Sequence, residues 1–326
     1  MLKPYGKIPI LVTAVGAELS FAVIKAIQCS QLNYNLIGCD IYKDVVGKYW
    51  CDQFENVPPA KNEDEYIQKI VEIVKKNKVE ILIPIADIEF FVLSKLKQEF
   101  KEKYGCHILV NSDQEIQRFS DKWQAFEWYK KNEIPTPETV LCHKIEDIKK
   151  SIHGWSFPCI IKPRTGGGSR HIYTCYSKND IEIFLPVVPE PIIQQYIDPI
   201  RNEEFTAGTY RTADNKVHVI VLRRTLKFGM TNTAETIGNQ ELEAFCKDVI
   251  LKTNLIGSNN IQFRNGKEGP KVIEINPRFS GTTGIRANFG FNDVEMWITE
   301  ALNLGKVNPP KIKKGKVLRY MDELYV

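Results

Sequence analysis

Oxygen-bearing side chains alternate with apolar ones in two neighbouring segments, 258–264 (SNNIQFR) and 271–276 (KVIEIN). This period of two is typical of β-strands, whose successive side chains point to opposite faces of a sheet. The residues between the segments include two glycines suited to reversing the chain, so the pattern predicts a hairpin. If the strands pair symmetrically about Glu268, Gln262 lies opposite Glu274, and cross-strand partners share one face.

Asn276 lies two residues beyond Glu274 and is therefore predicted to share that face. Gln262, Glu274 and Asn276 would then direct three oxygen donors to one point. This donor set suits Mg²⁺, a hard cation that takes one or two protein ligands together with phosphate oxygens and water. The alternative is a solvated sheet face with unrelated polar residues. That alternative explains the alternation, but it does not explain Arg278 and Gly281 directly downstream.

A glycine-rich stretch, 160–172 (IIKPRTGGGSRHI), is the second candidate site. Lys162 closes an apolar strand, from which its ammonium group could reach a phosphate. Gly166, Gly167 and Gly168 allow the backbone to approach a ligand closely, and successive N–H groups form an anion-binding nest. Ser169 adds a hydroxyl donor. The stretch is not a Walker loop, and the alternative for such a run of glycines is a flexible linker.

The elements that carry these residues fall into two series. In the first, strands alternate with helices, which predicts a parallel sheet wound with helices. The predicted strands are 8–15, 35–41, 79–87 and 106–111, and the predicted helices are 18–29, 65–78 and 89–104. The turn after the first strand lacks GxGxxG, which disfavours a nicotinamide-binding oxidoreductase. Asp87 and Glu89 follow the third strand and are candidate substrate contacts, with surface acids as the alternative.

The second series is richer in strands. It predicts helices at 120–134, 239–254 and 293–305. It predicts a strand, a glycine-rich loop and another strand within 157–177, and further strands at 191–198, 204–211, 218–229, 258–264 and 271–276. Glu204 begins a strand after a polar connector, where its carboxylate could accept hydrogen bonds from ribose hydroxyls. Arg224 is a candidate for binding an acid substrate, with an ordinary surface strand as the alternative.

The composition is that of a globular chain of two or three subdomains, with 326 residues, 43% apolar and 26% charged. Its net charge of +4 is too small to indicate a nucleic-acid partner. Eight cysteines form no CxxC pair and five histidines show no zinc-binding spacing, so we expect reduced structural cysteines and no zinc. No window is long and apolar enough for a membrane span, and we expect a cytoplasmic protein.

The order of Lys122, KPRTGGGS (162–169), QQYI (194–197), IQF (261–263) and IEINPRFSG (273–281) resembles the ATP-grasp superfamily. It is most similar to one synthetase half of the carbamoyl phosphate synthase large subunit and to short bacterial ligases, including amino-acid ligases. The resemblance implies an α/β and α+β fold, with a Rossmann-like pre-ATP-grasp domain followed by an ATP-grasp fold with a small lid. The implied domains are 1–112 (pre-ATP-grasp), 113–193 (small lid subdomain) and 194–326 (large subdomain).

The resemblance also implies a role for each matching residue. Lys122 and Lys162 would contact ATP phosphates, and the loop from Gly166 to Ser169 would cover them. The backbone of Gln194, Gln195, Tyr196 and Ile197 would read the adenine edge, and Glu204 would hold the ribose. Gln262, Glu274 and Asn276 would hold Mg²⁺, with Mn²⁺ as an alternative. Arg278, Lys162 and Asn276 would act in catalysis, with Arg278 on the transferring phosphoryl group.

The function so implied is Mg-ATP-dependent ligation. A small-molecule carboxylate is activated as an acyl phosphate and transferred to an amine or similar nucleophile, with release of ADP and phosphate. A homodimer is implied because the family often dimerises. The chain has one synthetase half and no glutaminase, and it carries Gln194 and Gln195 where relatives often carry Glu. The alternatives are a nucleotide-binding sensor or inactive ATP-grasp homologue, and the nicotinamide oxidoreductase considered above.

Overall fold

A computed structural model describes residues 6–141, 152–168, 170–200 and 204–326. Its strands are β1 (Ile8–Val12), β2 (Tyr34–Asp40), β3 (Gln53–Asn56), β4 (Ile81–Ile83), β5 (His107–Ile108), β6 (Thr139–Leu141), β7 (Cys159–Pro163), β8 (Tyr173–Cys175), β9 (Pro191–Gln195), β10 (Glu204–Arg211), β11 (Val217–Lys227), β12 (Met230–Thr236), β13 (Gly257–Gly266), β14 (Gly269–Asn276) and β15 (Lys316–Leu318). Its helices are α1 (Glu18–Gln28), α2 (Glu63–Asn77), α3 (Asp87–Ser94), α4 (Lys97–Tyr104), α5 (Asp113–Ser120), α6 (Lys122–Lys131), α7 (Lys178–Phe184), α8 (Gln240–Leu251), α9 (Thr283–Asn288) and α10 (Asp293–Ala301).

The N-terminal part is a parallel sheet with the strand order β3-β2-β1-β4-β5. The central strand, β1, is almost entirely apolar and nearly all of it is buried, as expected for a sheet that is covered on both faces. One apolar cluster packs α1 against one face, and a second packs α2, α3 and α4 against the other. The predicted Rossmann-like architecture is therefore confirmed.

Local boundaries differ from the prediction in this part. The segment 89–104 was predicted as one helix, but α3 ends at Ser94 and α4 begins at Lys97. The sequence pattern also missed α5, which begins after Ser112; the Ser112 hydroxyl accepts a hydrogen bond from the amide of Glu115 and caps the helix. A short amphipathic helix of this kind carries too few turns for its periodicity to be read reliably.

Four antiparallel strands form a second sheet in the order β6-β9-β7-β8. The predicted boundary between small and large subdomains, after residue 193, falls inside β9. That strand pairs with β6 on one side and with β7 on the other through Gln195. The boundary is therefore misplaced, because the strand's ladder continues past it.

A third, antiparallel sheet has the order β14-β13-β10-β11-β12-β15. The pattern missed β12, whose sequence MTNTAET is polar, and β15, which lies in the predicted basic tail. Phe119, Ala125 and Tyr129, from α5 and α6, pack into the core of this sheet with α8. Their packing contradicts the assignment of all of 113–193 to the small subdomain.

The N-terminal domain and the six-stranded sheet share one apolar core. Val23 and Ile27 of α1 belong to the same buried cluster as Tyr210 of β10 and Ile298 of α10. This shared core fixes the N-terminal domain against the six-stranded sheet, which also contains the hairpin of the candidate site. Among the described residues, no helix is both long and apolar enough to cross a bilayer.

Candidate nucleotide and metal site

A cleft of about 530 Å³ lies between the four-stranded and six-stranded sheets. Its lining includes most of the predicted nucleotide and metal residues: Lys122, Lys162, Gly166, Gly167, Gly168, Gln194, Gln195, Tyr196, Ile197, Glu204, Gln262 and Glu274. Among the described lining residues, five lysines and arginines face two carboxylates. This excess of positive charge suits a polyanionic ligand such as a polyphosphate.

The β13–β14 hairpin has the register that the alternation predicted. Gln262 lies opposite Glu274, and Asn276 lies opposite Asn260 at the end of the same strand pair. Gln262, Glu274 and Asn276 are each partly exposed. Their apolar neighbours Ile261, Phe263 and Ile275 are buried beneath them. The predicted pairing of Gln262 with Glu274 is therefore confirmed, while the convergence of all three side chains on a metal ion stays a prediction.

A β-bulge interrupts the hairpin beside the predicted metal ligands. Phe263 pairs with Val272, whereas Gln262 pairs with Glu274, so Ile273 has no partner in the ladder. Ile273 lines the cleft although simple alternation predicted it to lie on the buried face with Ile275. Bulges often redirect a side chain next to a functional site. Here the bulge adds an apolar surface to an otherwise cationic cleft.

The donor chemistry of the hairpin fits a magnesium ion. Glu274 supplies a carboxylate, while Gln262 and Asn276 supply amide oxygens, and hard divalent cations prefer oxygen ligands. No group of three His, Cys, Asp or Glu side chains with a metal-binding arrangement occurs in the described ranges. Glu274 is thus the single acid of the predicted set, and phosphate oxygens of a nucleotide would have to complete the coordination.

Lys162 is buried at the end of β7 and faces the cleft. Its ammonium group donates to the side-chain oxygen of Gln194 at 2.8 Å, and the amide nitrogen of Gln194 donates to the hydroxyl of Thr139 at 2.9 Å. Burial lowers the pKa of Lys162 to about 8; the Glu274 carboxylate opposes this shift, and nearby Lys122 and Arg264 add to it. Within the part of the chain that the structure describes, no carboxylate is hydrogen-bonded directly to this buried ammonium group, and a phosphate would supply the opposite charge.

The glycine-rich loop follows β7, and Gly166, Gly167 and Gly168 line the cleft. Gly166 and Gly168 have φ angles of 89° and 71°, a conformation that favours glycine. The Lys122 ammonium donates to the carbonyl oxygen of Gly166 at 2.7 Å, which places this predicted phosphate-binding lysine beside the loop. Ser169, also predicted for the loop, lies outside the described residues.

The four residues predicted to run along adenine divide into two pairs. The backbone of Gln194 and Gln195 is engaged in the sheet, and the Gln195 amide donates to the Glu138 carbonyl at 2.8 Å. Tyr196 and Ile197 follow the end of β9 and line the cleft outside the ladder. Backbone recognition of a base is therefore better suited to this second pair.

Glu204, the predicted ribose ligand, is held by two arginines. The Arg224 guanidinium donates to its Oε1 at 2.7 Å, and that of Arg264 donates to its Oε2 at 3.3 Å. Arg224 also donates to the side-chain oxygen of Gln262 at 2.9 Å, and its side chain is only 8% exposed. The structure thus places Arg224 in the cleft beside a predicted metal ligand, and its binding of an acid substrate stays a prediction.

Arg278 lies beyond the hairpin at the contact with the N-terminal domain. Its Nε is 3.3 Å from Asp87 Oδ1, its Nη1 donates to the Phe279 carbonyl at 3.0 Å, and its guanidinium lies 5.8 Å from the centre of the Phe90 ring. The structure therefore brings together a predicted catalytic arginine and a predicted substrate contact, Asp87, that are far apart in sequence.

Glu89 has surroundings that contradict its assignment as a substrate contact. It is 4% exposed, and its carboxylate accepts hydrogen bonds from Thr13, Tyr66 and the backbone amides of Ile85 and Ala86. Burial raises the pKa of Glu89, and these hydrogen bonds oppose that shift. With its oxygens occupied inside the N-terminal domain, Glu89 ties β1, α2 and α3 together.

Three residues near the cleft were missed by the sequence interpretation. Arg264 lies one strand-period beyond Gln262, so the alternation of β13 contained the signal for it. Its guanidinium lies 5.1 Å from the centre of the Tyr196 ring. Asp121 and Arg164 form an ion pair at the start of the glycine-rich loop. The two residues are 43 positions apart in the sequence, so no local pattern could predict that they pair.

Sequence comparison finds two domain families in the chain. An ATP-grasp domain matches residues 119–282, and a PylC-like N-terminal domain matches residues 10–109. The uncharacterized protein MJ0776 of Methanocaldococcus jannaschii is 25% identical over 257 residues, which is 78% of this chain and 62% of that protein. The carbamoyl phosphate synthase large chain of Archaeoglobus fulgidus is 24% identical over 198 residues, which is 56% of this chain and 18% of that one. The chain thus spans less than two thirds of either relative.

Solved structures show the same fold at low sequence identity. N5-carboxyaminoimidazole synthetase from Staphylococcus aureus, complexed with ADP, has a TM-score of 0.74 at 17% identity. The match covers 96% of this chain and 82% of the synthetase chain. The biotin carboxylase domain of 2-oxoglutarate carboxylase from Hydrogenobacter thermophilus has a TM-score of 0.75 at 16% identity, covering 96% and 74%.

These matches extend over both parts of the fold described above. A Rossmann-like domain is followed by two antiparallel sheets that enclose a cationic cleft. The chain belongs to the ATP-grasp family, and it combines that domain with a PylC-like N-terminal domain.

Proposed function

We propose that the protein is a Mg-ATP-dependent ligase that joins a small-molecule carboxylate to an amine or a similar nucleophile. The observation that supports this most directly is that Lys162, Glu274 and Gln262 line one cleft together with the glycines of the glycine-rich loop. The binding of a Mg²⁺–triphosphate requires three components: a buried ammonium group, oxygen ligands for a hard cation, and a flexible backbone whose N–H groups bind anions.

The residues of the chain divide the task of binding the nucleotide. Lys162 and Lys122 would hold phosphate oxygens, with the backbone of Gly166 to Gly168 covering them. Tyr196 and Ile197 would contact the base, and Ile273 would pack against it. Gln262, Glu274 and Asn276 would hold Mg²⁺, or Mn²⁺ in its place, and the ion would neutralise charge on the phosphates. Arg278 would orient the acid and stabilise the charge on the phosphoryl group.

The proposed reaction has two balanced steps. A carboxylate oxygen attacks the γ-phosphorus, the bond to the β–γ bridging oxygen breaks, and ADP leaves with that electron pair. The neutral amine then attacks the acyl carbon, the C–O bond to phosphate breaks, and the amine proton is released to solvent or to phosphate. Phosphorylation is needed because a carboxylate has no good leaving group. Positioning and charge neutralisation by the cleft lower the barrier to bringing two anions together.

The test is phosphate release from Mg-ATP in the presence of a matrix of carboxylic acids and amines. We expect release that depends on one acid class and a product whose mass equals acid plus amine minus water. Glu274→Gln should reduce release by roughly 100-fold or more, because it removes the carboxylate from the proposed set of metal ligands. Glu268→Gln, in the exposed hairpin turn, is the matched control.

Two other outcomes would contradict the ligase proposal or its metal assignment. ATP binding without release for any acid would favour a nucleotide-binding sensor or inactive homologue. Normal turnover by Glu274→Gln would contradict the assignment of Glu274 as a metal ligand.

The homodimer remains part of the proposal, because the structural relative from Hydrogenobacter thermophilus is described as a dimer. Light scattering of the purified chain tests it.

A further inference from the structure

An ion pair joins the two structural parts that carry the predicted phosphate-binding groups. Arg164 Nε donates to Asp121 Oδ1 at 2.9 Å and to Oδ2 at 2.8 Å, and Arg164 Nη2 lies 2.6 Å from Oδ2. Arg164 stands at the start of the glycine-rich loop, directly after β7. Asp121 stands directly before α6, whose first residue is Lys122. Such a forked contact fixes both distance and orientation, unlike a contact through one atom.

Further hydrogen bonds, one of them between backbone groups, also join the glycine-rich loop to the first turn of α6. The Lys122 amide donates to the Arg164 carbonyl at 2.9 Å, and the Lys122 ammonium donates to the Gly166 carbonyl at 2.7 Å. Asp121 also caps α6, accepting hydrogen bonds from the amides of Trp123 and Gln124 at 2.9 and 3.2 Å. The loop is thus attached to the first turn of a helix at three points within a few residues.

The helix provides a rigid base for this attachment. Ala125 and Tyr129 of α6 are buried in the core of the six-stranded sheet, whereas Arg164 continues a strand of the four-stranded sheet. The side chains of Arg164 and Asp121 are 31% and 13% exposed, so solvent only partly screens their attraction. Burial alone would raise the pKa of Asp121, but the hydrogen bonds from Arg164 and the two α6 amides outweigh it and lower the pKa.

We infer that Asp121 and Arg164 are a positioning pair that fixes Lys122 and the glycine-rich loop relative to each other before a triphosphate binds. The inference rests on the proposed function, since it assigns phosphate binding to those groups. Neither residue touches the nucleotide in this role. They act by holding the ammonium group of Lys122 and the N–H groups of the loop at the separation a phosphate needs, so that binding does not have to order them.

The test compares two ligands that share adenosine and differ in phosphates. Affinities for ATP and for adenosine are measured by displacement of a fluorescent adenine nucleotide, on the full chain. In Arg164→Gln we expect ATP affinity to fall about tenfold, equivalent to 1.4 kcal/mol, while adenosine affinity stays unchanged. Asp121→Asn should lower ATP affinity by a similar factor and leave adenosine affinity unchanged, because asparagine still caps the helix but carries no charge.

The Lys130–Glu138 pair provides a matched control. It also links α6 to the segment before β6, at a distance of 2.6 Å, but both side chains are about half exposed. Lys130→Gln should leave both affinities at the wild-type value. The double variant Asp121→Asn with Arg164→Gln should bind ATP no more weakly than either single variant, because the two substitutions remove one interaction.

Other outcomes separate failure of the pair from failure of the proposed function. If the wild-type chain binds no ATP, the proposed function fails and the pair's role fails with it. If the wild type binds ATP and Arg164→Gln binds it equally well, the pair alone is excluded. An equal fall for ATP and adenosine, or a melting temperature well below that of Lys130→Gln, would show a structural role only and overturn the inference.

Discussion

The ammonium group of Lys162 and the side-chain oxygen of Gln194 lie 2.8 Å apart in the interior of the four-stranded sheet. Gln194 is oriented by its second hydrogen bond, because its amide nitrogen donates to Thr139 and leaves the oxygen for the lysine. The neutral amide provides a hydrogen bond without a compensating charge. The lysine therefore keeps its positive charge available to a ligand, at the cost of a lowered pKa.

This relationship predicts that ATP binding weakens as the pH rises. Burial lowers the pKa of Lys162 to about 8, so the ammonium form that attracts phosphate is lost above that pH. We expect ATP affinity to fall about tenfold between pH 7 and 9, following the protonated fraction of such a lysine. Gln194→Glu should raise the pKa and move this fall to higher pH. Calorimetric titration across the pH range measures both.

Lys162→Met is the control for the pH experiment. It should bind ATP weakly at every pH and show no step near pH 8, because the titrating group is gone. A wild-type affinity that stays constant from pH 7 to 9, or a step that survives in Lys162→Met, would assign the pH dependence to another group.

Adjacent arginines on β11 offer a second prediction. Arg224 is almost buried and contacts Glu204 and Gln262 in the cleft, whereas Arg223 is 39% exposed and pairs with Glu235. Arg224→Gln should weaken ATP binding by roughly tenfold, because it removes a charge-assisted contact and leaves Arg264 alone to offset the repulsion between Glu204 and phosphate. Arg223→Gln should change the affinity less than twofold. Equal effects of the two substitutions would contradict the placement of Arg224 at the nucleotide.

How far the sequence anticipated this site depends on the range of each interaction. The pairing of Gln262 with Glu274 could be predicted, because a period of two and a short glycine-containing turn are local properties. The bulge at Ile273 could not, because the pattern of hydrophobic residues is the same with or without it. The parallel sheet was predictable from alternating helices and strands, while the polar strand β12 gave no apolar signal.

Glu89 was predicted as a substrate contact, and this prediction was wrong. An acid just after a strand of a parallel sheet is commonly exposed at the ligand-binding edge, and the sequence interpretation followed that rule. The rule failed because Thr13 and Tyr66, from elements distant in sequence, enclose the carboxylate. Asp121 and Arg164 were missed for the same reason. Contacts that form only in the tertiary fold cannot be predicted from a short window of the sequence.

A buried ion pair behind the site predicts a large effect on stability. Arg286 and Asp293 are both fully buried, and Arg286 also donates to Ser280 Oγ at 2.8 Å in the segment that follows Arg278. Asp293→Asn should lower the free energy of unfolding by about 3–5 kcal/mol, because it leaves a guanidinium buried without its counter-charge. Chemical denaturation provides the measurement.

The exposed Lys252–Asp248 pair is the reference for this effect. Asp248→Asn should cost less than about 1 kcal/mol, because a solvent-exposed ion pair contributes little. Gly208→Ala should also destabilise the protein, since an added Cβ would lie 2.5 Å from Arg286 Cδ. Stability of Asp293→Asn within 1 kcal/mol of the wild type would show that the buried guanidinium has another partner.

The contact between Asp87 and Arg278 predicts that the N-terminal domain controls catalysis rather than nucleotide binding. Arg278 Nε lies 3.3 Å from Asp87 Oδ1, and neither residue is among the described residues that line the cleft. Asp87→Asn should lower the rate of acid-dependent phosphate release about tenfold by releasing the guanidinium, while ATP affinity stays unchanged. Asp87→Glu should recover part of the rate, because it restores the carboxylate.

Steady-state kinetics distinguish this role from direct contact with the substrate. If Asp87 positions Arg278, Asp87→Asn lowers kcat and leaves the KM of the acid and of the amine near the wild-type value. If it binds a substrate group instead, as the sequence alone suggested, the KM of that substrate rises and kcat changes little. Glu63→Gln, which removes an exposed contact of 4.0 Å with Lys95 in the same domain, is the control and should affect neither constant.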